Sequence, residues 1–161
     1  MAVAIAAGLA SIAAGLVLTT GYDRRAAQLA QEAAALKQEA ERQQSLLALL
    51  RDPATRVVTL SGLEPAPNAT ARMFWHATAG GLLVAQGLKQ APEGRAYELW
   101  AIAGTNAPVP AGVFTVDARG VGSVRVAPMP AGGAVDGFSV TLEPAAGAPA
   151  PTGVTYLAGR L

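Results

Sequence analysis

The sequence predicts a mainly β protein: an antiparallel β-sandwich of about eight strands, preceded by a transmembrane helix and a helical stalk. Three observations carry that expectation. Residues 1–22 bear no charged side chain. Residues 23–52 contain neither glycine nor proline. All 11 prolines and 15 of the 18 glycines fall in residues 53–161, where hydrophobic periodicity drops towards two. The boundaries are therefore 1–22 for the span, 23–52 for the stalk and 53–161 for the β domain.

Composition narrows the function classes. The chain has 161 residues, a formal net charge of +1, 14% charged and 52% hydrophobic residues, 37 alanines and no cysteine. The length suits one domain with an appendage. A chain this close to neutral lacks the basic footprint of a nucleic-acid binder. The absence of cysteine excludes disulfides and thiolate-held zinc or iron–sulfur sites.

The first zone sets Val3, Ile5, Leu9, Ile12, Leu16, Val17 and Leu18 among alanines. As a helix it would be about 33 Å long, against a hydrocarbon core of roughly 30 Å. A signal peptide would need a positive n-region and a shorter apolar stretch. Small residues recur at Ala7, Ser11 and Gly15 and at Ala6, Ala10 and Ala14, a spacing that lets helices approach in lipid.

The second zone is rich in Ala, Gln, Glu, Leu, Arg and Lys, which favour helix. A heptad places Tyr22, Leu29, Leu36, Gln43 and Leu50 at one seam position and Ala26, Ala33, Ala40 and Leu47 at the other. Two readings stand: parallel self-association as a coiled coil, or a single helix that leans on its own domain or frays in water. Pro53 ends the helix, because it disfavours helical geometry at Asp52.

The third zone holds strands expected at 56–60, 71–77, 82–87, 96–103, 112–117, 122–127, 137–143 and 154–158. Gly80-Gly81 and Ala118-Arg119-Gly120 read as hairpin turns. Short, evenly spaced strands without intervening helices indicate a sandwich or barrel. Phe138, Val140 and Leu142 alternate with Ser139, Thr141 and Glu143, which predicts one face in a core and one in water. Seven of the eight aromatics lie in this zone.

Few residues offer chemistry. His76 is the one histidine, expected on the outer face of its strand as a surface residue. A nucleophilic triad would need it beside Ser123 or Ser139 and an acid, yet neither serine lies in a Gly-x-Ser-x-Gly turn. The carboxylates Glu64, Glu93, Glu98, Asp117, Asp136 and Glu143 are scattered, without metal-loop or glycosidase spacing. Asp117 and Asp136 flank turns and should bond local backbone. Glu98 should point outward and pair with a neighbouring Arg or Lys. Gly132-Gly133 and Ala146-Gly147-Ala148 fail as phosphate loops, lacking the following Lys-Ser/Thr and helix. The run 144–152 is a loop too small in side chain to make a core. Trp75 and Trp100, within apolar strands, are expected in the core rather than on a sugar or peptide platform. The sequence therefore assigns no catalytic, cofactor-binding or metal-binding residue and no cofactor.

Several ordered segments resemble the C-terminal domain of the anti-sigma-K factor RskA family. They are Tyr97-Glu98-Leu99-Trp100, Pro110-Ala111-Gly112-Val113-Phe114, and Phe138-Ser139-Val140-Thr141-Leu142-Glu143-Pro144 with Pro151-Thr152-Gly153, closed by Leu157-Ala158-Gly159. Leu82-Leu83-Val84 and Gly87-Leu88 fit the preceding hairpin. The resemblance covers roughly 57–161. It implies a single-pass protein of the bacterial cell membrane whose C-terminal domain is extracytoplasmic and non-catalytic. It implies transcription regulation through an extracytoplasmic-function sigma factor. That factor is released by regulated proteolysis, outside the membrane and then within it. Partners would be the membrane, envelope and intramembrane proteases, a second copy through helix and stalk, and a sigma factor held by an N-terminal domain. That sigma-binding domain is absent from this sequence, which reads either as part of a longer protein or as a stand-alone sensor-like half. Arg24 and Arg25 after the span favour a cytoplasmic C-terminal side by the positive-inside tendency; the resemblance implies the opposite, and the expectation follows the resemblance. The alternative is a stand-alone envelope module with a structural, adhesive or ligand-binding role. In the leading reading the junction at 50–55 is where exposed, cleavable backbone is expected.

Overall fold

The computed structural model describes the backbone of residues 2–129 and 135–161, and side chains at 24–129 and 135–161. The side chains of the expected span at 1–22, with its small-residue spacing, and the pair Gly132-Gly133 lie outside the described residues. Among the described residues no helix is long and apolar enough to cross a membrane. One helix, α1 (Ala2–Arg51), precedes eight strands: β1 (Arg56–Gly62), β2 (Thr70–His76), β3 (Gly80–Gln86), β4 (Arg95–Ile102), β5 (Val109–Phe114), β6 (Gly122–Val126), β7 (Gly137–Pro144) and β8 (Thr155–Arg160). The chain divides into two units, Met1–Leu47 and Ala48–Leu161.

In the first unit, strong helix formers sustain α1 without a break. Lys37–Glu41 at 4.0 Å and Arg42–Glu39 at 3.9 Å are exposed pairs one turn apart, each contributing about 0.2–0.5 kcal/mol. Leu29 and Leu36 are 65% and 73% exposed. At Leu29 and Leu36 the heptad seam is therefore in solvent, and among the described residues of the single chain no coiled coil forms.

In the second unit all eight expected strands are present. The largest shift in their bounds is at β5, which begins at Val109 rather than at residue 112. Every ladder is antiparallel, and the order is β5-β4-β7-β8-β1-β2-β3-β6. This is one sheet, not the two facing sheets of a sandwich. It curls until its edges β5 and β6 meet, as a nearly closed barrel. A Cβ on Gly112 would stand 2.7 Å from Val124 Cγ2, so glycine is what lets the edges come this close. Register shifts at Leu99/Trp100 and Val140/Thr141 supply local curl where β4 and β7 bend round.

The barrel interior is the core. Leu60, Met73, Leu83, Leu99, Phe138, Val140 and Leu157 are fully buried there. Trp75 meets Phe138 edge-on at 5.5 Å, and Tyr97 stacks on Phe114 at 5.7 Å. Each such side chain contributes roughly 1.5–3 kcal/mol by leaving water.

Both expected hairpin turns are differently built. Gly80 and Gly81 are not the turn but the first residues of β3, paired with His76 and Trp75. A Cβ on Gly81 would press on Phe74 O and Met73 Cε at 2.5 Å, so the glycines serve close strand approach; the turn itself is 77–79. Ala118-Arg119-Gly120 lies in a tight turn, yet β5 and β6 form no ladder. They are the two free edges of the sheet, facing across the seam.

Candidate functional site: the junction and the buried carboxylates

Two clusters collect the polar side chains that the sequence left scattered. The first joins the end of α1 to the barrel, within the second unit. Leu49 is 4% exposed, anchoring the last turn. Asp52 N–H closes onto Ala48 O at 3.0 Å, and Thr55 N–H onto Asp52 O at 3.0 Å. Asp52 Oδ1 accepts Ala54 N–H at 2.8 Å, and the Thr55 hydroxyl donates to Leu49 O at 2.6 Å. Pro53 thus stops the helix as expected, and the backbone it frees is bonded again at once. Residues 51–54 remain exposed.

His76 completes this cluster. Its Nδ1 accepts Thr78 N–H at 3.2 Å and Ala79 N–H at 3.0 Å, closing the β2–β3 turn. The ring proton is then on Nε2, which lies 3.5 Å from Asp52 Oδ2. The histidine side chain is 15% exposed. The expectation of a plain surface residue is corrected: His76 ties the hairpin to the residue after the helix. Ser123 and Ser139 take no part in it.

The second cluster lies on the outer face of β4 and β7. There Glu98, Thr141 and Glu143 are buried, as is Trp100, on the side away from the core. What covers them is the loop after β7. The smallness of its residues, which made it look unable to form a core, is what lets it lie flat on the sheet. Gly147, at φ +82°, approaches so closely that a Cβ would sit 3.2 Å from Glu98 Oε1. The simple core-and-water alternation therefore fails for β4 and β7, and Trp100 is buried on the outer face beside Thr141 instead of in the barrel.

Hydrogen bonds run through this layer. Trp100 Nε1–H donates to Thr141 Oγ1 at 2.7 Å, and the Thr141 hydroxyl donates to Glu143 Oε1 at 2.6 Å. Glu143 Oε1 also accepts Thr152 N–H and Gly153 N–H, each at 2.9 Å, while Oε2 accepts the Thr152 hydroxyl. Burial opposes ionisation of Glu143, but the Thr141 and Thr152 hydroxyls and the two backbone N–H groups outweigh it. Together they hold its carboxyl at about 2. Among the described residues Glu98 has no basic partner at ion-pair distance, contrary to expectation; its Oε2 accepts Ala148 N–H at 2.8 Å. Burial pushes its pKa up, the Ala148 bond offsets part of this, and the charge of Glu143 adds to the rise.

The remaining carboxylates stay apart. Asp117 bonds its own turn, accepting Arg119 N–H at 2.8 Å and Val121 N–H at 2.9 Å. The Val121 bond is the largest influence lowering its pKa; Arg119 adds to it against a smaller desolvation. Asp136 instead accepts Gly104 N–H from a distant loop. Glu64 and Glu93 are exposed. Among the described residues no three His, Asp or Glu side chains gather as a metal site. Every buried side-chain nitrogen and oxygen among the described residues has a hydrogen-bond partner. The buried carboxylates thus work as acceptors that fasten a loop.

This gives a physical reason for the segments singled out in the sequence. Phe138, Val140 and Leu142 face the core while Thr141 and Glu143 reach out to capture Thr152 and Gly153. The spacing of the two segments is the span of the covering loop. No curated protein and no solved structure matches the chain. A family model described as anti-sigma-K factor rskA, C-terminal, matches residues 1–155, taking in α1 as well as the barrel through the start of β8. The chain therefore belongs to the anti-sigma-K factor RskA C-terminal family, which ties it to anti-sigma regulation, to a sigma factor as partner and to the membrane.

Proposed function

We propose that this chain is the membrane-anchored, extracytoplasmic part of an anti-sigma factor. Residues 1–22 cross the bacterial cell membrane once, 23–52 form the stalk and the barrel stands outside. An extracytoplasmic-function sigma factor is held by a cytoplasmic segment outside this sequence and released by regulated proteolysis, first by an envelope protease and then within the membrane. The barrel is non-catalytic and senses a signal or shields the stalk. Leu29 and Leu36, exposed along one seam of α1, offer a second copy its contact.

The observation that carries this reading is the family match, which extends across the helix and most of the barrel. The charge-free run at 1–22 supports the span. The exposed stretch at 51–54 supports a protease-accessible junction. The test is topology in cells. A C-terminal epitope should be digested by protease added to intact spheroplasts, and the protein should stay with membranes in alkaline carbonate. An epitope protected from protease, or extraction by carbonate, would overturn the assignment.

A further inference from the structure

We propose that the barrel carries a saccharide-binding site at one of its ends, independent of the anti-sigma role. Between the loops joining β1 to β2 and β3 to β4 lies a cleft of about 470 Å³. That volume falls among small-molecule sites, which run from about 300 to 1,000 Å³ and favour the mouths of barrels. Tyr97, Tyr156 and Leu142 line it from the strands; Asn68, Lys89 and Gln90 line it from the loops.

The walls are built before any ligand arrives. Leu63 N–H bonds Tyr156 O at 2.8 Å, and Ala69 N–H bonds Ala66 O at 3.0 Å, fixing the first loop. The Tyr97 hydroxyl donates to Lys89 O at 2.8 Å, and Leu88 N–H donates to Gly120 O at 3.3 Å, fixing the second. The two loops touch where a Cβ on Gly87 would stand 3.2 Å from Asn68 O. A site held this way spends little ordering entropy on binding.

The chemistry of the lining selects the ligand. Tyr156 meets Tyr97 edge-on at 5.3 Å, so the strand side is aromatic. Among the described residues the side chains of Asn68, Lys89 and Gln90 and the Tyr156 hydroxyl make no hydrogen bond or ion pair. Two amides and a hydroxyl, each both donor and acceptor, suit vicinal sugar hydroxyls, which are also both. A tyrosine suits the C–H face of a pyranose ring. Among the described residues Lys89 is the one cation lining the cleft, too little for a phosphorylated ligand. An acyl chain would need a bore into the barrel, and the core below is filled by side chains. An extended peptide would seek an open sheet edge, yet β4, β7 and β8 are each paired on both sides.

The experiment uses the full chain in a detergent without a sugar headgroup. Cellobiose, N,N′-diacetylchitobiose, maltose and trehalose are titrated separately by saturation-transfer NMR and calorimetry. At least one disaccharide should bind, with transfer strongest to its ring C–H protons. The double variant N68A/Q90A, on exposed loops, should weaken that binding about tenfold or more, and Y156F should weaken it with the ring kept. S123A, on β6 away from the cleft, should not change it. The proposal is overturned by no saturation transfer from any of the four at about 10 mM. Binding indifferent to both N68A/Q90A and Y156F overturns it too, as does capture of a proline-rich decapeptide with none of the sugars.

Discussion

Replacing Glu143 by glutamine probes the fastening of the covering loop. Glutamine keeps the shape and imitates the protonated acid, so what it removes is the negative charge on which four hydrogen bonds converge. Three of these end on Oε1, from Thr141, Thr152 and Gly153, and the fourth ends on Oε2, from the Thr152 hydroxyl. An amide can still accept at the first position and donate at the second, so the variant should fold. The size of the loss follows from linkage. A carboxyl held at about 2 against an ordinary 4.5 contributes on the order of 3 kcal/mol to stability at neutral pH. Because its pKa is lowered on folding, the contribution is full above about 4.5 and is lost as pH falls towards 2. Glu143→Gln should therefore destabilise by about 2–3 kcal/mol at pH 7, a large part of the roughly 5–15 kcal/mol of an ordinary domain. The difference from wild type should shrink steadily below pH 4.5. Glu143→Ala, which strands every donor, should lose more, about 4 kcal/mol. Urea denaturation followed by tryptophan fluorescence reads both variants, with Trp100 reporting from within the network. A loss under about 1 kcal/mol for Glu143→Gln, or a difference that persists unchanged at pH 3, would falsify the account of Glu143 as a charged clamp.

Other outcomes follow from the same geometry. Glu98→Gln should raise the melting temperature at pH 7, since the raised pKa of this buried carboxyl means its stabilising form is the neutral one, lost as pH rises; the gain over wild type should fade in acid, and a gain as large in strong acid as at pH 7 would count against it. Gly159→Ala would press a Cβ onto Thr59 O where β8 passes β1, and should cost about 2 kcal/mol or more in thermal unfolding. His76→Ala removes the acceptor of two backbone N–H groups and the neighbour of Asp52. It should lower stability by about 1–2 kcal/mol and speed tryptic cleavage after Arg51; an unchanged cleavage rate there would show that the turn, not the histidine, governs access.

The number and places of the strands were legible because alternation and turn residues are local signals. Val58 and Leu60, or Met73 and Trp75, each show the core face directly. The closure of the sheet was not legible, because it depends on which edges meet. Nothing near Gly112 announces Val124, and β5 and β6 follow one another in sequence while standing at opposite ends of the hydrogen-bonded order. The Gly80-Gly81 error has a similar cause. A glycine pair signals either a turn or a close approach, and only the strands that flank β3 decide between them: β2 against Gly81 and β6 against Gly80. The sequence also assigned His76 to the surface for want of a neighbour; Asp52, 24 positions earlier, is that neighbour.

The outer layer shows most clearly what a period-two pattern leaves out. Thr141 and Glu143 read as solvent-facing because their strand alternates, and they do face away from the core. What buries them is a loop of Ala, Gly and Pro with no hydrophobic bulk. Its attachment depends on backbone N–H groups, which every residue but proline has and no composition reveals. The signal was nonetheless in the sequence, as a glutamate in an apolar strand followed at a fixed distance by Thr-Gly. A buried carboxylate with no cation nearby must find neutral donors, and a loop rich in small residues can bring its amides close enough to supply them. Such a clamp fixes the loop without placing any charge pair on the surface. The outer face of β4 and β7 is thereby closed by backbone amides rather than by apolar bulk.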